Sequence, residues 1–128
     1  MEESRKTVLI VEDDLILNLL YESYMDKLRF ATKGELVQGI NAIEMVRELN
    51  PDLILMDIAL EGDLDGIDTM KEIRSFSDVP VIYVTGNSDQ KHRQRAKEVG
   101  YIEYLIKPID FEDLKEAVHK LFNNHPSS

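Results

Sequence analysis

The stretch LILMDIALEGDLDG, residues 53–66, joins a run of four apolar residues to an aspartate and then to a loop rich in glycine and acids. A short, uninterrupted apolar run is typical of a strand that is buried on both faces of a parallel sheet. Asp57, between the apolar run and the loop, has two interpretations. It is either the first solvated residue after a strand, or a carboxylate that the strand holds at the edge of the sheet for a chemical purpose.

Four other segments of the chain carry strand patterns, and segments of helical period lie between them. The predicted strands are TVLIV at 7–11, a weaker one at 31–37 with an irregularity at Gly34, VIYVT at 81–85 and YIEYLI at 101–106. The apolar stripes of the predicted helices are Leu17, Leu20, Tyr21, Tyr24 and Leu28; Ile40, Ile43, Val46 and Leu49; Ile67, Met70 and Ile73; and Phe111, Leu114, Val118 and Leu121. Strands that alternate with helices predict an α/β fold, a doubly wound parallel sheet with helices on both faces.

The segment at 88–98 differs from the other predicted helices because it has almost no apolar face. It contains helix formers and a candidate N-cap, Ser88. Its basic residues form a cluster in an acidic chain: Lys91, His92, Arg93, Arg95 and Lys97. This cluster is either a solvated helix face or a docking surface for a partner. With so little apolar surface to hold the segment, a small free energy is enough to shift it.

Length and charge exclude several classes of protein. The 128 residues predict a single domain, with a core at about 6–122 and a flexible tail at 123–128. A net charge of −10 argues against general binding of nucleic acid or of an anionic membrane. The chain has no cysteine, which excludes thiolate metal sites, and no apolar segment typical of a signal peptide or membrane span. We therefore expect a cytoplasmic protein.

Polar residues follow four of the five predicted strands. In a sheet of this kind, ligands bind beyond the carboxyl ends of the strands. The residues at these ends are Glu12, Asp13 and Asp14; Asp57; Thr85 and Gly86; and Lys107 and Pro108. Carboxylates gathered at one edge repel one another unless a cation compensates them. Ligands that offer only oxygen favour Mg²⁺, with Mn²⁺ as a substitute.

The residue types at these ends also suit one reaction, phosphoryl transfer to an aspartate. Asp57 is the candidate nucleophile, and Lys107 with the metal neutralises the phosphoryl oxygens. Thr85 offers a hydroxyl donor, and its neighbour Gly86 lets a group approach the backbone closely.

Taken together, the stretches VLIVEDD, DLILMDIALEGDLDG, VPVIYVTG and GYIEYLIKPID resemble the receiver domain of two-component response regulators. The resemblance covers about residues 6–122 and implies a flavodoxin-like (βα)5 three-layer sandwich with strand order 2-1-3-4-5. It implies that Asp57 is the phosphoacceptor and that Asp13 is a direct Mg²⁺ ligand. Glu12 then holds the ion through water, and the backbone carbonyl of Ala59 completes the protein ligands.

The same resemblance implies a switch. Thr85 is expected to move and bind the phosphoryl group, with Lys107 as its counter-ion, and the Lys107–Pro108 peptide bond is expected to be cis. Tyr104 falls at the aromatic switch position and would swing inward as Thr85 moves, which couples the site to the face of the fourth helix, fifth strand and fifth helix. The residues expected to contact the phosphoryl group are Ala59, Thr85, Gly86 and Lys107.

The implied partners are proteins. A histidine kinase or a histidine phosphotransfer protein donates the phosphoryl group, and a downstream protein or a fused output domain receives the signal. Two copies of the chain are also expected to pair through the face of the fourth helix, fifth strand and fifth helix. No direct contact with nucleic acid or membrane is expected. The cognate kinase stays open, as does the choice between a single-domain regulator and the receiver of a longer protein.

The sequence departs from the family pattern beside the phosphoacceptor. The loop after Asp57 is one residue longer than the commonest form, and Glu61 stands where that form has proline. We expect altered loop geometry near the kinase surface, not lost chemistry. Ala59 and Asn87 occupy positions that influence how fast water reaches the phosphoryl group, so the lifetime of the modified state stays open.

Two other classes remain as alternatives. A haloacid-dehalogenase-like phosphohydrolase would use Asp57 as nucleophile, but it needs an aspartate two residues later, where this chain has Ala59. A degenerate receiver would bind partners without phosphorylation. The presence of the acidic residues, Thr85 and Lys107 argues against this alternative. We therefore expect a switch that gains and loses its own phosphoryl group and is not a turnover enzyme.

Overall fold

The computed structural model describes residues 5–34, 37–86 and 89–123. Its strands are β1 (Lys6–Val11), β2 (Phe30–Thr32), β3 (Leu53–Met56), β4 (Val81–Thr85) and β5 (Glu103–Ile106). Its helices are α1 (Leu15–Lys27), α2 (Ala42–Leu49), α3 (Gly66–Ile73), α4 (Gln90–Val99) and α5 (Phe111–Asn123), with a 3-10 turn at Gly39–Asn41 before α2. Within the described ranges the strands form one parallel sheet in the order β2-β1-β3-β4-β5. The predicted fold class and strand order are confirmed.

The central strands are apolar without interruption because both faces of the sheet are covered. One core contains Val8, Ile10, Leu53 and Leu55 with Tyr21 and Met25 of α1 and Leu114 and Val118 of α5. The other contains Leu9, Val11, Ile54 and Met56 with Val46 of α2, Ile67 and Met70 of α3 and Ala96 of α4. Side chains of a strand alternate between these cores, so every residue of β3 is buried.

The second strand was predicted wrongly in its bounds. It spans Phe30–Thr32, not 31–37, and pairs with β1 from Lys6↔Phe30 to Val8↔Thr32. Gly34 follows the strand with a φ of 75°, and a Cβ there would lie 2.9 Å from Cγ2 of Val37. Glycine therefore turns the chain beyond the strand end, where the sequence pattern suggested an irregularity within the strand.

Two of the predicted apolar stripes contain an exposed residue. Ile40 lies in the 3-10 turn and is 91% exposed, so the core-facing residues of α2 begin only at Ala42. On α1, Tyr21 is buried but Leu20 is 40% exposed. Leu15, Ile16 and Leu19 are exposed as well, so the amino-terminal half of α1 is apolar on its solvent side.

Capping side chains fix where α1 and α4 begin. Asp14 Oδ1 accepts hydrogen bonds from the backbone N–H groups of Ile16 and Leu17. Asp89 accepts one from His92 N–H at 2.8 Å and is the N-cap of α4, whereas the predicted cap, Ser88, lies outside the described residues. Ala96 is the one buried residue of α4, all of which is described, as expected from its polar sequence.

Candidate functional site

The parallel register brings the carboxyl ends of three strands to one place. The Asp57 N–H donates to the carbonyl of Val11 at 3.0 Å, which aligns the end of β3 with the end of β1. The Lys107 N–H donates to the carbonyl of Thr85 at 2.9 Å, which aligns β5 with β4. Glu12, Asp57 and Lys107 therefore leave the sheet at the same edge.

Lys107 joins two buried carboxylates. Its Nζ lies 3.0 Å from Asp57 Oδ2 and 3.0 Å from Glu12 Oε1. Asp57 is only 5% exposed and Glu12 only 4%, so Asp57 is not a solvated residue past the strand. Buried carboxylates are stable only when they are paired and hydrogen-bonded, and Lys107 provides that pairing here.

The pKa values follow from this burial. Desolvation raises the pKa of Glu12 above its usual value and is reinforced by the charge of Asp57, while the hydrogen bond from Lys107 acts in the opposite direction. Burial also disfavours the charged form of Lys107. The hydrogen bonds that Lys107 donates to Asp57 and Glu12, together with the negative charges of these two groups, outweigh this burial, and the pKa of Lys107 is raised. The ammonium is therefore held in its charged form.

The other strand ends contribute a buried hydroxyl residue, a glycine and a cis peptide bond. Thr85 is fully buried at the end of β4. Gly86 follows it, and a Cβ at Gly86 would meet nothing within 4 Å, so no described neighbour requires glycine there. The Lys107–Pro108 peptide bond is cis. The Ala59 N–H donates to Asp57 Oδ1 at 3.1 Å, so each Asp57 carboxylate oxygen accepts a hydrogen bond.

The Asp13 carboxylate accepts hydrogen bonds from the backbone of two loops. Its Oδ1 accepts a hydrogen bond from Gly39 N–H at 3.1 Å, and its Oδ2 accepts one from Glu61 N–H at 2.7 Å. Carboxylate and carbonyl oxygens are the donors that Mg²⁺ prefers, so the residue types at this edge fit that ion. In the part of the chain that the structure describes, however, no three acidic, histidine or cysteine side chains are arranged to hold a metal.

The first residue of α3 packs against the backbone of Asp57. A Cβ on Gly66 would lie 2.2 Å from the Asp57 carbonyl oxygen, so only glycine fits. The Gly66 N–H donates to the carbonyl of Ile58 at 2.8 Å. Gly66 is a functional position that was not predicted from the sequence, although a glycine after Asp65 is a common signal of a turn into a helix.

Arg95 connects α4 to the start of α3, a contact that the sequence analysis also missed. Its guanidinium binds Asp65 through Nη1 at 2.8 Å and through Nη2 at 3.2 Å, and Nη2 also binds Asp68 at 2.8 Å. Asp65 is the N-cap of α3 and accepts from Asp68 N–H. Burial favours the protonated form of Asp65, but the hydrogen bond and charge of Arg95, together with the hydrogen bonds from Asp68, outweigh it, so the pKa of Asp65 is lowered.

Tyr104 is buried in an aromatic group beside α4. It is 6% exposed, and its ring centroid lies 6.0 Å from that of Tyr83 and 5.8 Å from that of Tyr101. The Arg93 guanidinium lies 4.7 Å from the centre of the Tyr104 ring, on the face of the chain that includes α4 and β5. The Tyr83 hydroxyl is buried and has no hydrogen-bond partner among the described residues.

Comparison with known proteins assigns this arrangement to a family. The model of the response regulator receiver domain matches residues 8–119. The chain belongs to the response regulator receiver family. The receivers of this family are signalling proteins of two-component systems rather than turnover enzymes. They act with histidine kinases and output domains and generally bind Mg²⁺.

The curated relatives are longer than this chain. It is 37% identical over 113 residues to the probable C4-dicarboxylate response regulator DctR of Halalkalibacterium halodurans, covering 87% of this chain and 49% of that protein. It is 35% identical over 120 residues to the transcriptional regulatory protein ZraR of Klebsiella oxytoca, covering 90% of this chain and 26% of that protein. The chain thus spans about half of the first relative and about a quarter of the second.

Solved receiver structures have the same fold. The signal receiver domain of a modulated diguanylate cyclase from Desulfovibrio desulfuricans G20 superposes with a TM-score of 0.84 at 30% identity, covering 94% of this chain and 96% of that one. A CheY-like receiver from Methanospirillum hungatei JF-1 gives 0.83 at 21% identity, covering 94% and 96%, which supports the fold alone. Across the described residues, no helix is long and apolar enough to cross a membrane.

Proposed function

We propose that this receiver is a phosphorylation switch in which Asp57 accepts a phosphoryl group from a histidine kinase or a histidine phosphotransfer protein. The observation that carries the proposal is the pairing of Lys107 with two buried carboxylates, Asp57 and Glu12, at 3.0 Å each. Burying several charged groups at the edge of a sheet destabilises the folded state. Such groups are therefore found mainly at sites where a protein performs chemistry.

Phosphoryl transfer at this site forms a bond between phosphorus and an Asp57 carboxylate oxygen and breaks the bond between phosphorus and the donor histidine nitrogen. The donor imidazole keeps the electron pair of the broken bond and takes up a proton. Lys107 lies beside the attacking carboxylate, where its charge compensates the phosphoryl oxygens. The Ala59 N–H, at 3.1 Å from Asp57 Oδ1, orients the nucleophile.

Mg²⁺ belongs to the proposal as the cofactor, with Mn²⁺ as its substitute. The residues proposed to hold it are Asp57, Asp13, the carbonyl of Ala59 and, through water, Glu12. The bound ion supplies positive charge that lowers repulsion between the carboxylates and the incoming phosphoryl group. The oxygen-only donor set supports this choice, because hard divalent ions prefer such ligands.

The signal leaves the site through residues of β4, β5 and α4. Thr85 and Gly86 are proposed to bind the phosphoryl group, and Tyr104 is proposed to follow the movement of Thr85. Little apolar surface holds α4, and Arg93 lies on the ring of Tyr104, so a change at the ring reaches the solvent face of the helix. The α4-β5-α5 face is proposed to bind a downstream protein, a fused output domain or a second copy of the chain.

The unit that carries this function is proposed to comprise residues 6–122, and the location to be the cytoplasm. Residues 124–128 of the predicted tail lie outside the described residues. The pathway and output of the whole protein are not assigned, since the curated relatives extend well beyond the matched region.

The experiment that tests the proposal is incubation with acetyl phosphate and Mg²⁺, followed by intact-protein mass spectrometry. We expect the wild-type chain to gain one phosphoryl group and Asp57→Asn to gain none. Asp63→Asn is the matched control, since Asp63 is an exposed aspartate of the same loop, and it should be modified like wild type. If the wild-type chain gains no phosphoryl group and binds no Mg²⁺, it is an interaction module. Steady turnover of a phosphate ester would instead identify a hydrolase.

A further inference from the structure

Asp13 ties two loops together with both oxygens of its carboxylate. One oxygen accepts from Gly39 N–H, in the connection between β2 and α2, at 3.1 Å. The other accepts from Glu61 N–H, in the loop after Asp57, at 2.7 Å. A hydrogen bond of this length to an ionised carboxylate belongs to the stronger class. Asp13 therefore fixes the Glu61 loop to the rest of the domain.

The two loops that Asp13 joins are also packed against each other. A Cβ on Gly39 would lie 3.0 Å from Cβ of Leu60, so the absence of a side chain at Gly39 lets Leu60 approach its backbone. Immediately after Glu61, Gly62 has a φ of 109°, a conformation that favours glycine. The Glu61 N–H is thus directed at Asp13 by a specific loop conformation. This is the loop that is one residue longer than the common family form.

This use of Asp13 conflicts with its proposed role at the metal. An oxygen that accepts one N–H can still bind a metal, but no three acidic side chains among the described residues are arranged to hold an ion, so Asp13 would have to turn to join such a group. This turn would break its bonds to the Gly39 and Glu61 N–H groups. We infer that Mg²⁺ and the Glu61 loop compete for the Asp13 carboxylate, so that metal binding releases the loop. The inference rests on the proposed function, because it takes the site to bind Mg²⁺. Asp13 is then a positioning residue for the loop as well as a ligand.

Proline at residue 61 provides a direct test. Glu61→Pro removes the N–H that binds Asp13, whereas Glu61→Ala removes the same carboxylate and keeps the N–H. Mg²⁺ titrations of the full chain, followed in ¹H–¹⁵N spectra, compare the two variants. We expect Glu61→Pro to bind Mg²⁺ about three- to tenfold more tightly than Glu61→Ala, the range expected when one hydrogen bond no longer competes.

Amide hydrogen exchange in the wild-type chain tests the same point without a substitution, so it decides the matter if proline disturbs the fold. Saturating Mg²⁺ should speed the exchange of the Glu61 amide. The Asp68 amide, which donates to Asp65 Oδ1 at 2.8 Å, should keep its rate and serves as the control.

Each outcome has a defined meaning. Equal or weaker Mg²⁺ binding by a folded Glu61→Pro, or an unchanged Glu61 exchange rate, overturns the competition. The proposed function survives either result if wild type binds the ion and gains a phosphoryl group in the same experiments. If the wild-type chain binds no Mg²⁺, both the competition and the metal part of the proposed function fail.

Discussion

The Nζ of Lys107 lies 3.0 Å from Oδ2 of Asp57, although β5 and β3 are separated in the sheet by β4. The same ammonium binds Glu12 beyond the end of β1, so one side chain spans the carboxyl ends of three strands. This contact is what makes it tolerable to bury two carboxylates at 5% and 4% exposure.

Removing the Lys107 ammonium should therefore destabilise the fold at neutral pH. In Lys107→Ala, two carboxylates remain buried without a cation, and we expect the free energy of unfolding to fall by about 1–3 kcal/mol. Urea denaturation at pH 7 measures the loss. Lys115→Ala, which removes a lysine of α5 that forms no ion pair with any described residue, is the control and should stay within about 0.5 kcal/mol of wild type. A change of the same small size in Lys107→Ala would contradict the role assigned to the contact.

Glu12 should make the stability of the domain depend on pH. Its pKa is raised in the folded chain above its ordinary value of 4.5, chiefly by burial. The folded state then holds this proton at pH values where the unfolded state has lost it. Glu12 therefore adds to the free energy of unfolding through this proton. The added stability is complete below pH 4.5 and disappears as the pH rises through the raised pKa.

Glu12→Gln removes this titration. The free energy of unfolding of wild type minus that of Glu12→Gln should decline as the pH rises above about 4.5. Urea denaturation of both chains at half-unit steps from pH 4 to pH 8 follows the difference. A difference that stays constant across this interval would show that burial does not raise the pKa of Glu12.

Gly66 should tolerate no side chain. Alanine there would place its Cβ 2.2 Å from the carbonyl oxygen of Asp57 and 2.8 Å from Cα of Ile58, and backbone atoms cannot move aside easily. We expect Gly66→Ala to lower the free energy of unfolding by about 2–4 kcal/mol. Gly86→Ala is the matched control for stability, because a Cβ there meets nothing within 4 Å. Equal stability of the two variants would rule out the close packing of α3 on Asp57.

The fold could be predicted from sequence because its strongest signals are local and repeated. β3 and β4 each contain a short apolar run that is typical of a strand buried on both faces, and parallel pairing then places Glu12, Asp57 and Lys107 at one edge. The bounds of β2 were harder to predict from the sequence. Only three of its residues pair with β1, and the chain turns at Gly34, where a Cβ would meet side chains of Val37 and α2.

The contacts of the loops could not be predicted in the same way. Asp13 binds the backbone N–H of Glu61, a group that every residue but proline carries, so no side-chain pattern indicates the contact. In the sequence, no pattern distinguishes Arg95 from the other residues of its basic cluster. Its partners Asp65 and Asp68 lie 30 and 27 residues away, and their proximity depends on how α3 and α4 pack.

Arg95 should hold α4 in place more than the apolar contacts of that helix do. Arg95→Ala removes the bonds to Asp65 and Asp68, and we expect a loss of about 1–2 kcal/mol in the free energy of unfolding. Faster amide hydrogen exchange confined to α4 is expected at the same time. Lys91→Ala, at an exposed position of the same helix, should change neither quantity. Unchanged exchange in α4 of Arg95→Ala would show that other contacts fix the helix.

Removing the hydroxyl of Tyr83 should not lower the free energy of unfolding. The oxygen is buried beneath α3 and α4 without a hydrogen-bond partner among the described residues, and burial raises the pKa of the phenol. A buried polar group without a partner destabilises the folded state by about 1–3 kcal/mol, whereas the ring itself packs against Tyr101 and Tyr104.

Tyr83→Phe keeps the ring, so its free energy of unfolding should equal that of wild type or exceed it by up to about 2 kcal/mol. Tyr83→Leu keeps an apolar side chain but removes the ring contacts, and it should lose about 1–3 kcal/mol. Urea denaturation of the three chains side by side decides the point, since a Tyr83→Phe variant less stable than wild type would mean that the hydroxyl makes a stabilising contact.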